Sequence, residues 1–320
     1  QSYFRDLLSI SLFCIIFVCN NGFKMRSLAC YFGLMVLSMM TVSCDKIFGE
    51  DLTDLIFDYG VIEVPDKALF IGNSLLLGNG TFGMNATDSL HDYHALIQER
   101  FLAANPAYTD VKLSGIAFEG CEDYAQQLDW LENTLRPRLS ADLDLVVIQI
   151  GDNVNTSKKR SAFEQGAKEL IATIKEGAPN ARIVWLYGWY VSSRVTKSIK
   201  NACKQYAVNL IAIDDIHKTE NESSIGTVVT WAEPTTQTVK YTRYTVLPDS
   251  RLQIDFVVDG KNYTAKVRAT SYDDNPGTKL LTWQGYETIT TDWHVASHPG
   301  NRGFARIARH FFEMVDINWK

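Results

Sequence analysis

Three polar residues stand at the ends of apolar segments, in an arrangement that could support nucleophilic catalysis. Ser74 follows the apolar residues 68–71, Asn153 comes shortly after the apolar residues 145–148, and His298 precedes an amphipathic stretch near the end of the chain. A serine hydroxyl becomes a nucleophile when a hydrogen-bonded base takes its proton, and imidazole is the commonest such base. An asparagine amide can stabilise the oxyanion that then forms. These residues together predict acyl-transfer chemistry.

The order of the motifs resembles that of the SGNH (GDSL-like) hydrolase family: a serine after the first strand, Gly-x-Asn after a middle strand, and His-Pro before the last helix. The resemblance covers roughly residues 66–217 and 286–320. It implies a serine esterase in which Ser74 is the nucleophile and His298 is the general base. It also implies an oxyanion hole formed by the backbone N–H of Ser74, a glycine N–H and the side chain of Asn153.

Two glycines, Gly115 and Gly120, are the candidates for the glycine of that oxyanion hole. Gly120 fits the family spacing better, and Gly115 is the alternative because it also follows the second predicted strand. The chain departs from the family at Val154, where an aspartate usually follows the asparagine.

A second departure concerns the group that orients the base. The family places an aspartate three residues before the histidine, where this chain has Val295. Asp292 lies six residues before His298 and can reach its ring only if the loop bends; we predict that it orients the base. A backbone carbonyl is the alternative and would leave a Ser–His dyad. His294, in the same loop, is a rival for the role of base.

The elements that must position these residues alternate regularly along the first two thirds of the chain. Short apolar runs predict strands, and apolar residues at helical spacing predict helices between them. The predicted strands are 68–71, 111–116, 143–150, 182–187 and 208–213, and the predicted helices are 89–104, 124–135, 161–176 and 195–206. This alternation predicts an α/β fold with a parallel sheet and helices on both faces. The family resemblance implies the same flavodoxin-like, three-layer sandwich.

The pattern changes within residues 222–285, where short alternating runs predict five strands separated by turns. The predicted strands are 226–232, 238–246, 252–258, 262–269 and 279–283. We therefore predict an all-β module inserted into a hydrolase domain made of residues 66–221 and 286–320. Because the module precedes the loop that carries Asp292 and His298, we expect it to pack beside the active site and shape substrate access.

The first 44 residues have the character of a leader. An apolar stretch follows Met25-Arg26 and ends in Val-Ser-Cys44, which is typical of a secretory signal and resembles that of bacterial lipoproteins. We expect Met25 to be the true start, Cys44 to be acylated, and residues 45–65 to form a tether. This predicts export and lipid anchoring in the bacterial cell envelope, either periplasmic or surface-exposed. A membrane-spanning anchor is the alternative, although the stretch is short for a span of about 20 residues.

Composition excludes some partners. The net charge is -6 and no basic face stands out, so we expect no nucleic acid. No motif predicts a metal or another cofactor, since His91 and His94 are more typical of a helix start than of a metal site. Cys121 and Cys203 should be free thiols in the folded body.

The predicted function is hydrolysis of an O-acyl ester, with acetyl as the expected acyl group and a carbohydrate as the expected carrier. Tryptophans could form sugar-stacking surfaces, although core packing explains most of them equally well; they are Trp185, Trp189, Trp283 and Trp293. Two alternatives stay open. One is a lysophospholipase or thioesterase with the same catalytic residues. The other is a catalytically degenerate, glycan-binding surface protein. This alternative is motivated by Val154 and Val295, which stand where the family has aspartates.

Overall fold

A computed structural model describes residues 59–319 of the chain. The predicted leader, the lipidation at Cys44 and most of the tether lie outside these residues. Within the described part, no helix is long and apolar enough to cross a membrane.

Five parallel strands form the central sheet. These strands are β2 (Lys67–Gly72), β3 (Thr109–Ser114), β4 (Leu145–Gln149), β5 (Arg182–Tyr187) and β6 (Asn209–Ala212). A two-residue strand, β1 (Ile62–Glu63), precedes them and does not belong to this sheet. Their order across the sheet is β3-β2-β4-β5-β6. The first strand of the sheet therefore lies between its second and third strands. In doubly wound sheets such a switch leaves a crevice at the carboxyl ends of the strands, where ligands bind.

Helices cover both faces of this sheet. They are α1 (Ser74–Leu77), α2 (Tyr93–Ala104), α3 (Ile116–Gly120), α4 (Tyr124–Trp130), α5 (Ser157–Gly177), α6 (Ser193–Tyr206), α7 (Trp293–Ala296) and α8 (Asn301–Met314). Phe163 of α5 and Ile199 of α6 belong to the buried apolar cluster on one face. Ile97 of α2 and Phe304 of α8 belong to the cluster on the other face. The predicted α/β fold is thus confirmed. The main differences are that α2 begins at Tyr93 and that α4 continues as a short π-helical segment.

An antiparallel sheet follows the parallel one along the chain. It consists of β7 (Val228–Val246), β8 (Arg251–Val258), β9 (Lys261–Arg268), β10 (Ser271–Asn275) and β11 (Leu280–Ile289), in the order β10-β11-β7-β8-β9. The sequence predicted two strands where β7 is one strand of 19 residues. Residues 233–237 separate the two predicted strands, but β7 pairs with β11 on both sides of an irregularity between Gly285 and Glu287. The strand β10 was not predicted. A final two-residue strand, β12 (Ile317–Asn318), pairs with β1.

The antiparallel module buries one face and contacts the α/β part of the chain. Alternate residues of β8, Leu252, Ile254 and Phe256, are at most 1% exposed, as their alternation predicted. The module reaches the loop that follows α1, since the Thr230 N–H donates to the Thr87 carbonyl at 2.7 Å.

Candidate active site

The turn after β2 presents Ser74 at the start of α1. Asn73, which is fully buried, caps this helix because its side-chain oxygen accepts the Leu75 N–H at 3.1 Å. Its backbone N–H donates to the Gln149 carbonyl at the end of β4, at 3.2 Å. The turn that carries Ser74 is therefore tied to two neighbouring strands, and Ser74 itself remains partly exposed.

The structure brings Ser74 and His298 together from positions 224 residues apart. The Ser74 Oγ lies 2.9 Å from the Nε2 of His298. On the other side of the ring, Nδ1 lies 2.9 Å from the His294 carbonyl oxygen and 3.2 Å from that of Val295. A carbonyl can only accept, so the ring proton belongs on Nδ1 and the lone pair on Nε2 faces the serine hydroxyl. Burial lowers the pKa of His298, which favours the neutral form that can take a proton.

The structure corrects the prediction for Asp292. Its carboxylate caps α7 by accepting the His294 N–H at 2.7 Å, and its side chain is exposed. A short helix thus occupies the chain between Asp292 and His298 and uses the carboxylate as its cap. The backbone-carbonyl alternative is the arrangement that the structure shows. His294 contributes its carbonyl rather than its imidazole.

Tyr190, which the sequence analysis missed, supports the same loop. Its hydroxyl lies 2.9 Å from the Ser297 Oγ and 3.3 Å from the Nδ1 of His298. The Ser297 hydroxyl donates to the His294 carbonyl at 3.0 Å, so the tyrosine hydroxyl donates to Ser297. The indole of Trp189 donates to the Ser297 carbonyl at 3.0 Å. Both aromatic residues follow β5, and no local sequence pattern marked them as partners of the histidine loop.

Of the predicted oxyanion-hole residues, Asn153 lies on the loop after β4 and Gly120 lies at the end of α3. The amide Nδ2 of Asn153 donates one hydrogen to the Glu119 carboxylate at 2.7 Å, which leaves its second hydrogen available. Gly120 ends α3 directly after Glu119 and is exposed. Gly115, the alternative, donates its N–H to the Gly72 carbonyl at 2.7 Å and so has no free donor.

The carboxylate of Glu119 is a central contact that the sequence analysis missed. Glu119 is 1% exposed. Its Oε1 accepts the Asn73 amide at 3.2 Å, the Gly151 N–H at 2.5 Å and the Asn153 N–H at 3.3 Å. Glu119 stands only one residue before the predicted glycine, so an acidic residue beside that motif was the available signal.

A second carboxylate, Asp152, lies on the same side of the site. It accepts the amide of Asn73 at 3.1 Å, the amide of Gln149 at 2.9 Å and the Tyr190 N–H at 3.0 Å. Within residues 59–319, neither Asp152 nor Glu119 forms a salt bridge. Burial, with a contribution from the charge of Asp152, raises the pKa of Glu119 to about 7, and burial also raises the pKa of Asp152.

Other candidate residues lie elsewhere. His94 is buried beside Asp110, and His91 is exposed and paired with Asp88. No group of three metal-ligating side chains occurs in the described residues. Cys121 and Cys203 are buried free thiols. Of the four tryptophans considered for sugar stacking, three are buried and only Trp293 is exposed, at 43%.

No family model and no curated protein matches this chain. Among solved structures, it is similar to an extracellular lipase from Streptomyces rimosus, with 16% identity and a TM-score of 0.32 over 47% of this chain and 81% of that one. It is also similar to a protein from Bacteroides uniformis described as a GDSL-like lipase, with 20% identity and a TM-score of 0.35 over 48% and 85% of the two chains. An acetyl xylan esterase from Butyrivibrio proteoclasticus shares 14% identity, with a TM-score of 0.33 over 50% and 58%. At these scores the similarities by themselves assign no function to this chain.

Proposed function

We propose that this chain is a serine ester hydrolase of the SGNH type. The observation that carries the proposal is the contact of 2.9 Å between the Ser74 Oγ and the His298 Nε2, with Nδ1 held by backbone carbonyls. The position of this pair at the carboxyl edge of a doubly wound sheet supports it, because reactive groups collect there.

The geometry supports a two-step acyl transfer. The Ser74 Oγ attacks the ester carbonyl carbon while His298 Nε2 takes the hydroxyl proton. The N–H groups of Ser74 and Gly120 and the amide of Asn153 are the proposed donors to the oxyanion. The tetrahedral intermediate collapses, His298 returns the proton to the leaving alkoxide, and an acyl-serine remains. Water then attacks the acyl-serine with His298 again acting as base, which releases the carboxylic acid.

More specifically, we propose that the substrate is an O-acetyl ester on a carbohydrate. The support is an exposed tryptophan, which packs against a half-buried tyrosine at the junction of the module and the catalytic loop. Trp293 begins α7, and Tyr263 of β9 lies edge-on to it with ring centroids 6.3 Å apart. Flat exposed aromatic rings offer a stacking surface to sugars, and this one stands five residues from His298.

The activity is tested by Ser74→Ala with p-nitrophenyl acetate and with a fluorophosphonate probe. We expect turnover to fall to background and labelling to disappear, while circular dichroism stays unchanged. Ser114→Ala is the matched control, because Ser114 is exposed at the carboxyl end of the neighbouring strand β3. Turnover that survives in Ser74→Ala would remove Ser74 from the mechanism. A folded wild-type protein without a serine adduct would favour the glycan-binding alternative.

The acyl group is tested by a chain-length series of p-nitrophenyl esters. We expect acetyl to give the highest kcat/KM. A preference for chains longer than butyryl would overturn the deacetylase proposal and favour the lysophospholipase or thioesterase.

The carbohydrate is tested by Trp293→Ala on an acetylated polysaccharide and on p-nitrophenyl acetate. We expect KM to rise on the polymer alone. Tyr272→Ala is the control, since Tyr272 on β10 of the module is exposed to a similar extent, 48% against 43% for Trp293. Equal effects of Trp293→Ala on both substrates would contradict a sugar-stacking role.

We also propose that the protein is exported and anchored through acylated Cys44. The support is the apolar stretch and the small residues that precede this cysteine. Mass spectrometry of the mature protein should find an acylated N-terminal Cys44, and Cys44→Ala should release the protein from the membrane fraction. An unmodified Cys44 within a longer mature chain would refute this proposal.

A further inference from the structure

We propose that Glu119 is a positioning residue that fixes the amide of Asn153 through its ionised carboxylate, and that protonation of Glu119 turns this amide away from the oxyanion. The inference rests on the proposed esterase function. It adds a second proton-controlled group to the site, besides the histidine.

The two oxygens of Glu119 have unequal partners. Oε1 accepts three N–H groups, whereas Oε2 accepts only the Nδ2 of Asn153, at 2.7 Å. All four partners are donors, so the ionised carboxylate satisfies every one of them. A proton added to Oε1 would displace three hydrogen bonds, whereas a proton on Oε2 displaces one. Oε2 is therefore the site of protonation.

A proton on Oε2 conflicts with the present orientation of Asn153. Two donors, the new O–H and the amide N–H, would face each other at a distance suited to one hydrogen bond. The conflict is relieved when the Asn153 amide rotates and presents its oxygen to Glu119. That rotation takes the second N–H of the amide away from the position in which it can serve the oxyanion.

The surroundings of Glu119 favour this protonation. Asp152, from the loop after β4, shares the amide of Asn73 with Glu119 and repels its charge. Tyr187, from β5, packs against Gly151 and interacts with the charge of Glu119, while His217 and Tyr190 interact with the charge of Asp152. Because the pKa of Glu119 is raised to about 7, the transition falls in a range where esterase activity is readily measured.

The substitution Glu119→Gln places a permanent NH₂ where protonation would place an O–H. We expect kcat on p-nitrophenyl acetate to fall by about 10- to 100-fold, a substantial part of the effect of losing one oxyanion donor. KM should stay within about twofold, because binding of the ester does not depend on the oxyanion donor. Glu122→Gln is the matched control, since Glu122 lies three residues further on and is exposed; its kcat should be unchanged.

A double-mutant cycle shows whether Glu119 acts through Asn153. In an Asn153→Ala background, we expect Glu119→Gln to change kcat by less than about twofold, because the amide that it would misplace is gone. An equal loss in both backgrounds would overturn the proposal, as would an unchanged kcat in the single variant.

The pH dependence of kcat/KM distinguishes a positioning role of Glu119 from a purely structural one. Wild-type kcat/KM should rise with pH through a transition near 7, in addition to the one caused by His298 at lower pH. The transition near 7 should disappear in Glu119→Gln and in Asn153→Ala. If Glu119→Gln does not fold, the wild-type and Asn153→Ala profiles decide, and a transition that persists in Asn153→Ala overturns the proposal.

An activity-independent measurement separates this inference from the proposed function. In ¹H–¹⁵N spectra of the wild type, the side-chain NH₂ signals of Asn153, assigned by their loss in Asn153→Ala, should shift as pH passes through about 7. They should not titrate there in Glu119→Gln. Signals that do not titrate in the wild type refute the role of Glu119, whereas titration without any ester hydrolysis refutes the esterase function alone.

Discussion

The two halves of the candidate site are held in place by different kinds of contact. On the nucleophile side, the turn of Ser74 and the loop of Asn153 are tied to two buried carboxylates, Glu119 and Asp152. On the base side, the ring of His298 is held by neutral backbone carbonyls, and the nearby Asp292 only caps a helix. Negative charge therefore lies under the oxyanion loops and not behind the histidine.

This difference has a chemical consequence. A carboxylate behind a histidine stabilises the imidazolium that forms during catalysis. Backbone carbonyls orient the ring and accept its proton but supply only partial charge, so His298 should be a weaker base than one paired with aspartate. On the other side, charge-assisted hydrogen bonds are stronger than neutral ones and hold the oxyanion donors more firmly. The proposed site thus combines a base of the dyad type with oxyanion donors that are hydrogen-bonded to a carboxylate.

The largest effect should come from removing the base. We expect His298→Ala to lower kcat by at least about 10³-fold, because His298 is the only side chain hydrogen-bonded to the Ser74 hydroxyl in the described residues. Steady-state hydrolysis of p-nitrophenyl acetate measures it. His294→Ala is the control: it keeps the carbonyl that holds the ring and removes only an exposed imidazole, so its activity should be nearly normal. A large loss in His294→Ala instead would make His294 the base.

Removing the oxyanion amide should have the next largest effect. Asn153→Ala should lower kcat by about 10²- to 10³-fold with little change in KM, as expected for a donor used mainly in the transition state. A rise in KM alone would show that Asn153 binds the ground state and would weaken the contrast between the two sides.

The buried charge on the nucleophile side should appear in the pH dependence of stability. The pKa of Glu119 is raised from 4.5 to about 7 on folding, so its contribution is fully present below 4.5 and is lost as pH rises through 7. Over that window the wild type should lose about 3 kcal/mol of unfolding free energy that Glu119→Gln does not lose. Urea unfolding of both proteins across this pH range measures the difference. If the unfolding free energies of the two proteins changed with pH in parallel, Glu119 would not be a buried charge.

The smallest effect is expected on the side of His298, where neutral backbone carbonyls hold the ring. Asp292→Asn should change kcat by less than about twofold and stability very little, since asparagine caps a helix as well as aspartate does. The equivalent change at a triad aspartate costs about 10⁴-fold in kcat. A loss of that size would show that Asp292 reaches His298 during catalysis and would remove the contrast between the two sides. Activity and thermal unfolding measured together separate the two outcomes.

Local sequence patterns predicted the framework well. The strands and helices of the parallel sheet follow from apolar runs and helical spacing, which depend on near neighbours. The Gly72-Asn73 pair marked the turn that presents Ser74, and the alternation of Leu252, Ile254 and Phe256 marked a buried face. The break predicted within β7 failed because its continuity depends on pairing with β11, about 50 residues away.

The fold class, the alternation of strands and helices around the parallel sheet and the residue types that carry chemistry follow from the sequence alone. Tertiary structure decided which of those groups meet. The position of Glu119 beside the predicted glycine marks it as an acidic residue near the motif. It does not reveal that the carboxylate accepts N–H groups from Asn73, Gly151 and Asn153, because those partners lie on two other loops. Likewise, Asp292 and the carbonyl of His294 were both close enough to orient His298. Only the formation of α7, which engages Asp292 as its cap and turns the carbonyl toward the ring, decided between them.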